Sequence, residues 1–175
     1  MEKIIIYTDG SSRGNPGPGG WGAIIIRGDD RKTFENESEV LEIGGREDMT
    51  TNNRMEMIAA IEALRVLPSF ENSQGKNIEV EIFSDSEYLI KGITLWIKGW
   101  QKNNWRTKDR KEVLNQDLWQ KLLEETEKRN VQWKKVLGHS GHKFNDRCDE
   151  IATSFADGIL PELFDGLKSE YSLFH

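Results

Sequence analysis

The sequence predicts a single α/β domain, a mixed sheet with helices packed on it, and three observations carry that expectation. Apolar runs of strand length, in KIIIYTDGS, GWGAIIIRG, NIEVEIFSD and VQWKKVL, are separated by stretches of helical spacing. The strands come first and then alternate with helices, in the order βββ–α–β–α–β–α, which suits a mixed sheet. The 175 residues, 36% hydrophobic and 31% charged, are enough for one substantial core and few for two.

Lys3–Ser11 reads as a strand that runs into small polar residues, and SSRGNPGPGG at its end as a loop by its Gly and Pro. Gly20–Gly28 is a second strand, close enough to form a hairpin with the first. A third is expected within Thr33–Ile43, where alternation is poor and acidic content high. Arg54–Leu67 is a helix, with Met57, Ile58, Ile61 and Leu64 on one face and Pro68 ending it. Ile78, Val80 and Ile82 then alternate with Glu79 and Glu81, as in a half-buried strand. Two short helices are expected in Ser86–Ile93 and Leu95–Gln101, and a longer one in Asp117–Lys128, with Leu118, Trp119, Leu122 and Leu123 inward. Val131–Leu137 is a fifth strand. Asn145–Ala156 is a last helix, carrying Cys148, Ile151, Ala152 and Phe155 at helical spacing. Residues 1–157 thus form the domain, and 158–175 read as a C-terminal tail docked through Leu160, Phe164, Leu167 and Phe174.

No apolar run is long enough to span a membrane, so no membrane partner is expected. Met1 leads almost at once into a β-rich segment, with no signal or transit peptide. The one cysteine, Cys148, has no internal disulfide partner, which makes a reducing cytoplasm the expected compartment. Nothing requires more than a monomer. The net charge of −6 opposes a nucleic-acid partner at first sight, but distribution matters more than the sum. Between Lys98 and Lys111 stand six basic residues against Asp109 alone, with Trp100 and Trp105 among them. A charge run is often only a solvated face. Interleaved tryptophans favour a surface that grips a phosphate backbone and stacks on rings or sugars, although Trp100 suits the core equally well.

Asp9 and Asp85 each close an apolar strand, in YTDGS and FSDSEY, and Asp149 adjoins the apolar face of the last helix, in RCDEIA. A carboxylate beside a core is costly unless paired or bound to a cation. Sites in open α/β sheets gather at strand ends, and several carboxylates there call for a hard divalent ion such as Mg²⁺. Each residue also has a simpler reading. Asp9 and Asp85 suit turns, Asp85 can cap the next helix, and Glu56 can close a capping box with Asn53.

The segments YTDGSSRGNPGPGGWGAI, TTNNRMEMIAAIEAL, SDSEYLIKGI, LWIKGWQKNNW and GHSGHKFNDRCDEIA resemble, in order, the blocks of the bacterial type 1 ribonuclease H family. The resemblance spans Lys3 to Ala156 and implies the ribonuclease H-like fold, a five-stranded mixed sheet flanked by helices. It implies a hydrolase that cuts the RNA strand of RNA–DNA hybrids, with 5′-phosphate and 3′-hydroxyl products. By resemblance Asp9, Glu56, Asp85 and Asp149 bind two Mg²⁺ ions (Mn²⁺ as an alternative), with Asp9 bridging them. His139 matches a histidine that assists proton transfer or product release. Asn15, Asn52 and Asn53 match minor-groove contacts, and Ser86 adds a group suited to reading the 2′-hydroxyl. Thr51 and Asn115 match positions that hold a DNA-strand phosphate, and Trp96 one that packs on DNA sugars. Lys98 and Lys102 lie in the segment resembling the basic protrusion. A zinc reading of GHSGH with Cys148 lacks a fourth ligand, since the one remaining histidine is His175. His142 is expected to be hydrogen-bonded in its loop, and Cys148 to be a core residue.

Some positions depart from the family pattern. Met49 stands where relatives carry Arg, Glu87 where Gln is usual, Ser140 for a common Ala and Lys143 for a common Pro. Gly28–Val40 is longer than the usual connection, and the tail is extra. The competing functions are another ribonuclease H-like nuclease, which lacks the TTNNRME block and the protrusion, or a module that binds hybrids without cutting them.

Overall fold

The computed structural model describes residues 2–29, 38–67, 78–136 and 142–175. Strands β1 (Glu2–Ser12), β2 (Gly17–Asp29) and β3 (Glu39–Thr50) lead into helix α1 (Asn52–Arg65) and strand β4 (Ile78–Ser84). Helices α2 (Glu87–Lys91) and α3 (Ile97–Lys102) follow, then α4 (Gln116–Glu127), β5 (Asn130–Lys135), α5 (Lys143–Ala156) and β6 (Asp165–Leu167). The strands form one sheet in the order β5-β4-β1-β2-β3-β6. β1 runs parallel to β4, and β4 to β5, while the remaining pairs are antiparallel.

Alternation along the strands splits the core in two. Ile4, Ile6, Ile25, Val80 and Ile82 pack beneath α1 and α4, with Trp119 and Leu122 fully buried among them. On the opposite face Tyr7, Ile24, Ile26 and Val40 meet Phe144 and Cys148 of α5. Cys148 is therefore a core residue, as expected, and its thiol lies 3.3 Å from the Tyr7 carbonyl oxygen.

The α/β class holds, and the sheet has six strands where five were expected. The sixth comes from the segment read as a tail: Glu39, Val40 and Leu41 pair with Leu167, Gly166 and Asp165. A strand edge left open is a template for pairing, and β3 meets that demand with the chain's own C-terminal segment. Phe164 and Phe174 pack on the core as expected. Leu160 does not dock, being 85% exposed in the stretch before β6. Alternation on β6 turns Leu167 outward as well.

Strand limits moved for a common reason, which is pairing with a longer neighbour. β3 lies over 39–50 rather than 33–43, because it follows β2 residue by residue from Arg27↔Glu39 to Gly19↔Glu47 and, past a register shift, to Gly17↔Thr50. Part of the expected span, with most of the Gly28–Val40 connection, lies outside the described residues. The expected Ser11–Gly20 loop shrinks to residues 13–16, because Gly17, Gly19 and Gly20 pair within β2. The two short helices join into one segment through a wide turn at Gly92–Trp96. α1 begins at Asn52 with Thr51 as its cap, the Thr51 hydroxyl accepting from the Arg54 amide at 3.3 Å. The Asn53–Glu56 capping box is thereby ruled out, since Asn53 is already helical.

Close approach of α5 to the sheet depends on Gly20, where a side-chain carbon would overlap the Ala152 carbonyl oxygen and the Ala156 amide. Both are backbone atoms and cannot rotate away. Gly20→Ala is therefore expected to destabilise the fold by about 1–3 kcal/mol through overpacking. Chemical denaturation reads this directly, and an unchanged midpoint would mean that α5 moves without cost.

Candidate active site

Parallel pairing of β1 with β4 brings the first two carboxylates together. The register places Tyr7 opposite Phe83, so Asp9 and Asp85 each stand two residues further along neighbouring strands that run the same way. Asp9 is 6% exposed, and Asp85 is half-buried between the end of β4 and the cap of α2. Ser86, not Asp85, caps that helix: its hydroxyl accepts from the Leu89 amide at 3.2 Å. The Asp85 carboxylate is thus left to face Asp9.

Glu56 arrives from α1. The start of that helix lies against the end of β1 so closely that a side-chain carbon on Gly10 would overlap the Glu56 amide. Glycine at position 10 is what admits Glu56, which is 3% exposed. Carboxylate oxygens of Asp9, Glu56 and Asp85 lie within 4.8 Å of one another, and one Glu56 oxygen is buried without a partner. Asp149 lies outside that cluster, exposed on α5, yet its charge reaches Asp9.

Three carboxylates this close cannot all ionise freely. Burial, and then the charges of Asp85 and Asp149, push Asp9 up to about 7, against the lowering effect of its bond with Glu56 and of the Gly10 amide at 2.8 Å. Burial and the Asp9 charge also push Glu56 up, and its hydrogen bond to Asp9 adds to this. Their hydrogen bond raises Glu56 and lowers Asp9, so it favours the proton on Glu56 and the charge on Asp9. The all-oxygen donor set and the orphaned Glu56 oxygen fit a hard divalent cation, which would replace that proton.

The remaining predicted residues lie around this cluster. Asn15 is exposed in the loop between β1 and β2, where the Arg13 guanidinium holds Asp157 of α5 with bonds of 2.6 and 2.8 Å. Asn52 is exposed and Asn53 half-buried on the first turn of α1, beside Thr51. His139 and Ser140 lie outside the described residues. His142, expected to be hydrogen-bonded, instead buries its Nδ1 without a partner and packs its ring on Tyr7, with centroids 4.9 Å apart. The Phe144 ring also packs against it, with centroids 5.7 Å apart.

Asn115 adopts a left-handed backbone and is held by two residues that the sequence did not single out. Its amide donates to the Tyr88 hydroxyl at 3.0 Å, and its oxygen accepts from Arg54 at 3.3 Å. Arg54 in turn grips Asp117 through bonds of 3.0 and 2.9 Å. These partners come from three separate elements, so no local pattern announces them. Met49 is 72% exposed, and Glu87 is paired with Lys91 and Lys135.

In the Lys98–Lys111 segment Lys98, Lys102 and Arg106 are exposed, and Trp96 is 38% exposed. Trp100 and Trp105 pack against the core, which settles the alternative left open for Trp100 in favour of packing. The rings form a chain inward, with Trp96 5.8 Å from Trp100 and Trp100 5.4 Å from the buried Trp119. A cavity of about 660 Å³ lies beside Trp96 and Trp100, rimmed by Arg106 and Lys108. Among the described residues no helix is long and apolar enough to cross a membrane.

A six-stranded mixed sheet that carries acidic side chains at adjacent parallel strand ends defines a nuclease of ribonuclease H-like architecture. The family profile described as RNase H matches residues 1–157, and the chain belongs to that family. A ribonuclease H of Hahella chejuensis is 51% identical over 152 residues, covering 87% of this chain and 92% of the relative. The crystal structure of LC9-RNase H1, described as a type 1 RNase H with the type 2 active-site motif, superposes with a TM-score of 0.77 at 29% identity. It covers 94% of this chain and 78% of that one. LC11-RNase H1 in complex with an RNA/DNA hybrid matches with a TM-score of 0.60 at 27% identity, covering 89% and 97%.

The raised acids fix the sign of a pH effect. Their folded values lie above the unfolded ones, so the stability they contribute is greatest at low pH and is lost as pH rises towards about 7. Without divalent ions, the thermal midpoint should fall over that window more steeply than in Asp9→Asn, and Mg²⁺ should restore it increasingly as pH rises. Parallel pH curves for the two proteins would show that Asp9 is not raised.

Proposed function

We propose that this chain is an endonuclease that hydrolyses the RNA strand of RNA–DNA hybrids, leaving 5′-phosphate and 3′-hydroxyl ends. The observation that carries the reading is the acidic cluster at the paired ends of β1 and β4, in a chain of the ribonuclease H family. A relative of the same family was crystallised on an RNA/DNA hybrid, and binding of the same ligand class is inferred here.

Asp9, Glu56, Asp85 and Asp149 would hold Mg²⁺, two ions when substrate is present, with Mn²⁺ as an alternative. Bound there, the ions supply an activated water and neutralise charge on the scissile phosphate. The chain's own residues do the rest. Protons and a cation would compete for the Asp9 and Glu56 carboxylates, both of which are raised. Exposed Asp149, on α5, would add the fourth carboxylate to the ligand set. His139 is assigned to proton transfer or product release.

Selection of RNA falls to neutral groups that can both donate and accept at a 2′-hydroxyl. Asn15, Asn52, Asn53 and Ser86 are assigned that task. Thr51 and Asn115 are assigned a DNA-strand phosphate, with Asn115 already held in place by Tyr88 and Arg54. Exposed Met49 adds no charge there, which leaves that phosphate to neutral donors. Trp96 is assigned to DNA sugars, and Lys98 and Lys102 to the backbone. A single buried cysteine agrees with a reducing cytoplasm, and a monomer is sufficient.

Incubating labelled RNA–DNA hybrid, duplex DNA and duplex RNA with Mg²⁺ tests the reading. Cleavage confined to the RNA of the hybrid is expected, and cutting of duplex DNA or an intact hybrid would overturn it. Asp9→Asn should abolish turnover and leave hybrid affinity largely intact, because it removes charge from the metal site alone. Turnover at the wild-type rate in that variant would remove Asp9 from the ligand set. Replacing Lys98, Lys102 and Arg106 together with Ala should weaken hybrid binding and flatten its salt dependence, by about one unit of slope per lost phosphate contact. A slope equal to that of the wild type would place the protrusion away from the substrate.

A further inference from the structure

Residues 158–175 lie beyond the stretch that the family profile matches, yet they close on the buried side chain of Glu42. Glu42 stands at an inward position of β3 with a carboxylate that receives four donors. The Arg147 guanidinium of α5 binds it with both arms at 2.8 and 2.9 Å, the Phe164 amide at 3.0 Å and the Tyr171 hydroxyl at 2.5 Å. The Glu42 amide donates back to the Phe164 carbonyl at 2.8 Å. Arg147 also reaches the Glu162 carbonyl at 2.7 Å and Glu150 at 3.0 Å. One ionic knot thus ties β3, α5 and the C-terminal segment together.

A second tie lies one helical turn earlier on α5. The Phe174 ring packs on Phe144 with centroids 5.2 Å apart, and Phe144 packs on Tyr7 of β1 at 5.0 Å. Lys143 and Lys168 both stand over the Phe174 ring. The C-terminal segment therefore holds α5 at Phe144 and at Arg147, and Asp149 lies two residues beyond Arg147 on that helix. Of the four carboxylates assigned to metal binding, Asp149 is the one that lies outside the buried cluster. Its position depends wholly on where α5 lies against the sheet.

We propose that the C-terminal segment is a clasp that sets the position of α5, with Glu42, Arg147 and Tyr171 as positioning residues for Asp149. A bidentate arginine pair has a fixed geometry, so it specifies the helix's angle and height as well as its attachment. Outer partners of this kind tune a metal site without touching the ion. The clasp rests on the assignment of Asp149 to metal binding in the proposed function, and the activity readout below rests on hybrid cleavage as well.

Tyr171→Phe keeps the ring packing and removes one of the four donors, so the fold should survive. Glu42→Gln and a chain ending at Gly158 are the stronger variants. Mn²⁺ affinity without substrate, measured by calorimetry, is expected to drop by roughly tenfold in Tyr171→Phe and further in the other two, from the low end of the range for outer partners of metal sites upward. On hybrid, kcat at low Mg²⁺ should fall with KM for the hybrid unchanged, and raising Mg²⁺ should restore kcat. Leu122→Ala, on the other face of the sheet, serves as the control: it should lower thermal stability and leave Mn²⁺ affinity alone.

Mn²⁺ affinity and kcat equal to the wild type in folded Tyr171→Phe and in the shortened chain would overturn the clasp. So would a loss in Leu122→Ala as large as theirs. A wild-type protein that leaves hybrids intact but whose Mn²⁺ affinity still falls in Tyr171→Phe would support the clasp and refute the function.

Discussion

Parallel pairing of β1 with β4 places two carboxylates, Asp9 and Asp85, side by side at the end of the sheet, and the arrangement around them answers the resulting repulsion. Gly10 opens the space through which Glu56 enters, adding a third acid where two were already costly. Burial and mutual repulsion raise both Asp9 and Glu56, which disfavours ionising the two together. The cluster therefore stores unfavourable electrostatics that a divalent cation relieves. That same cost explains why the site is placed at the sheet's end, where a cation can still enter, and not deeper in the core.

The molecule separates its charges by task. Among its acids, the buried ones cluster at the strand ends or sit in ion pairs, at Glu42, Glu125 and Glu81, the last held by Lys3 and Lys134. Its exposed bases gather on the α3 segment, anchored by tryptophans that reach the core. A net charge of −6 is compatible with a polyanionic substrate because the two populations occupy different surfaces. The aromatic anchor gives the basic segment a defined shape, which a flexible cationic arm would lack.

Asp9 and Asp85 were legible in the sequence because each ends an apolar strand, and strand parity alone suggests where they lie. Glu56 was not. Its burial depends on how near α1 approaches β1, a distance fixed by Gly10 from another element, and the capping box it suggested disappears once Thr51 starts the helix. The limits of β3 were misread because pairing with β2, not its own alternation, sets them. Glu42 carried a signal that went unused: Val40 and Glu42 share the inward face of β3, and a glutamate there demands partners. Those partners, Arg147 and Tyr171, lie 105 and 129 residues away, beyond the reach of any local pattern. Asn115 was located by resemblance, while the residues that hold it, Tyr88 and Arg54, emerged only in three dimensions.

The chain of indoles from Trp96 through Trp100 to Trp119, with Trp105 at 6.5 Å from Trp100, has an optical consequence. Rings at these separations exchange excitation far faster than they emit, so light absorbed by the buried tryptophan migrates outward and samples the exposed one. Emission of the whole group then reports on the surroundings of Trp96, and any change at that exposed ring alters the signal of more than one fluorophore. The basic side of the molecule thus carries its own optical probe.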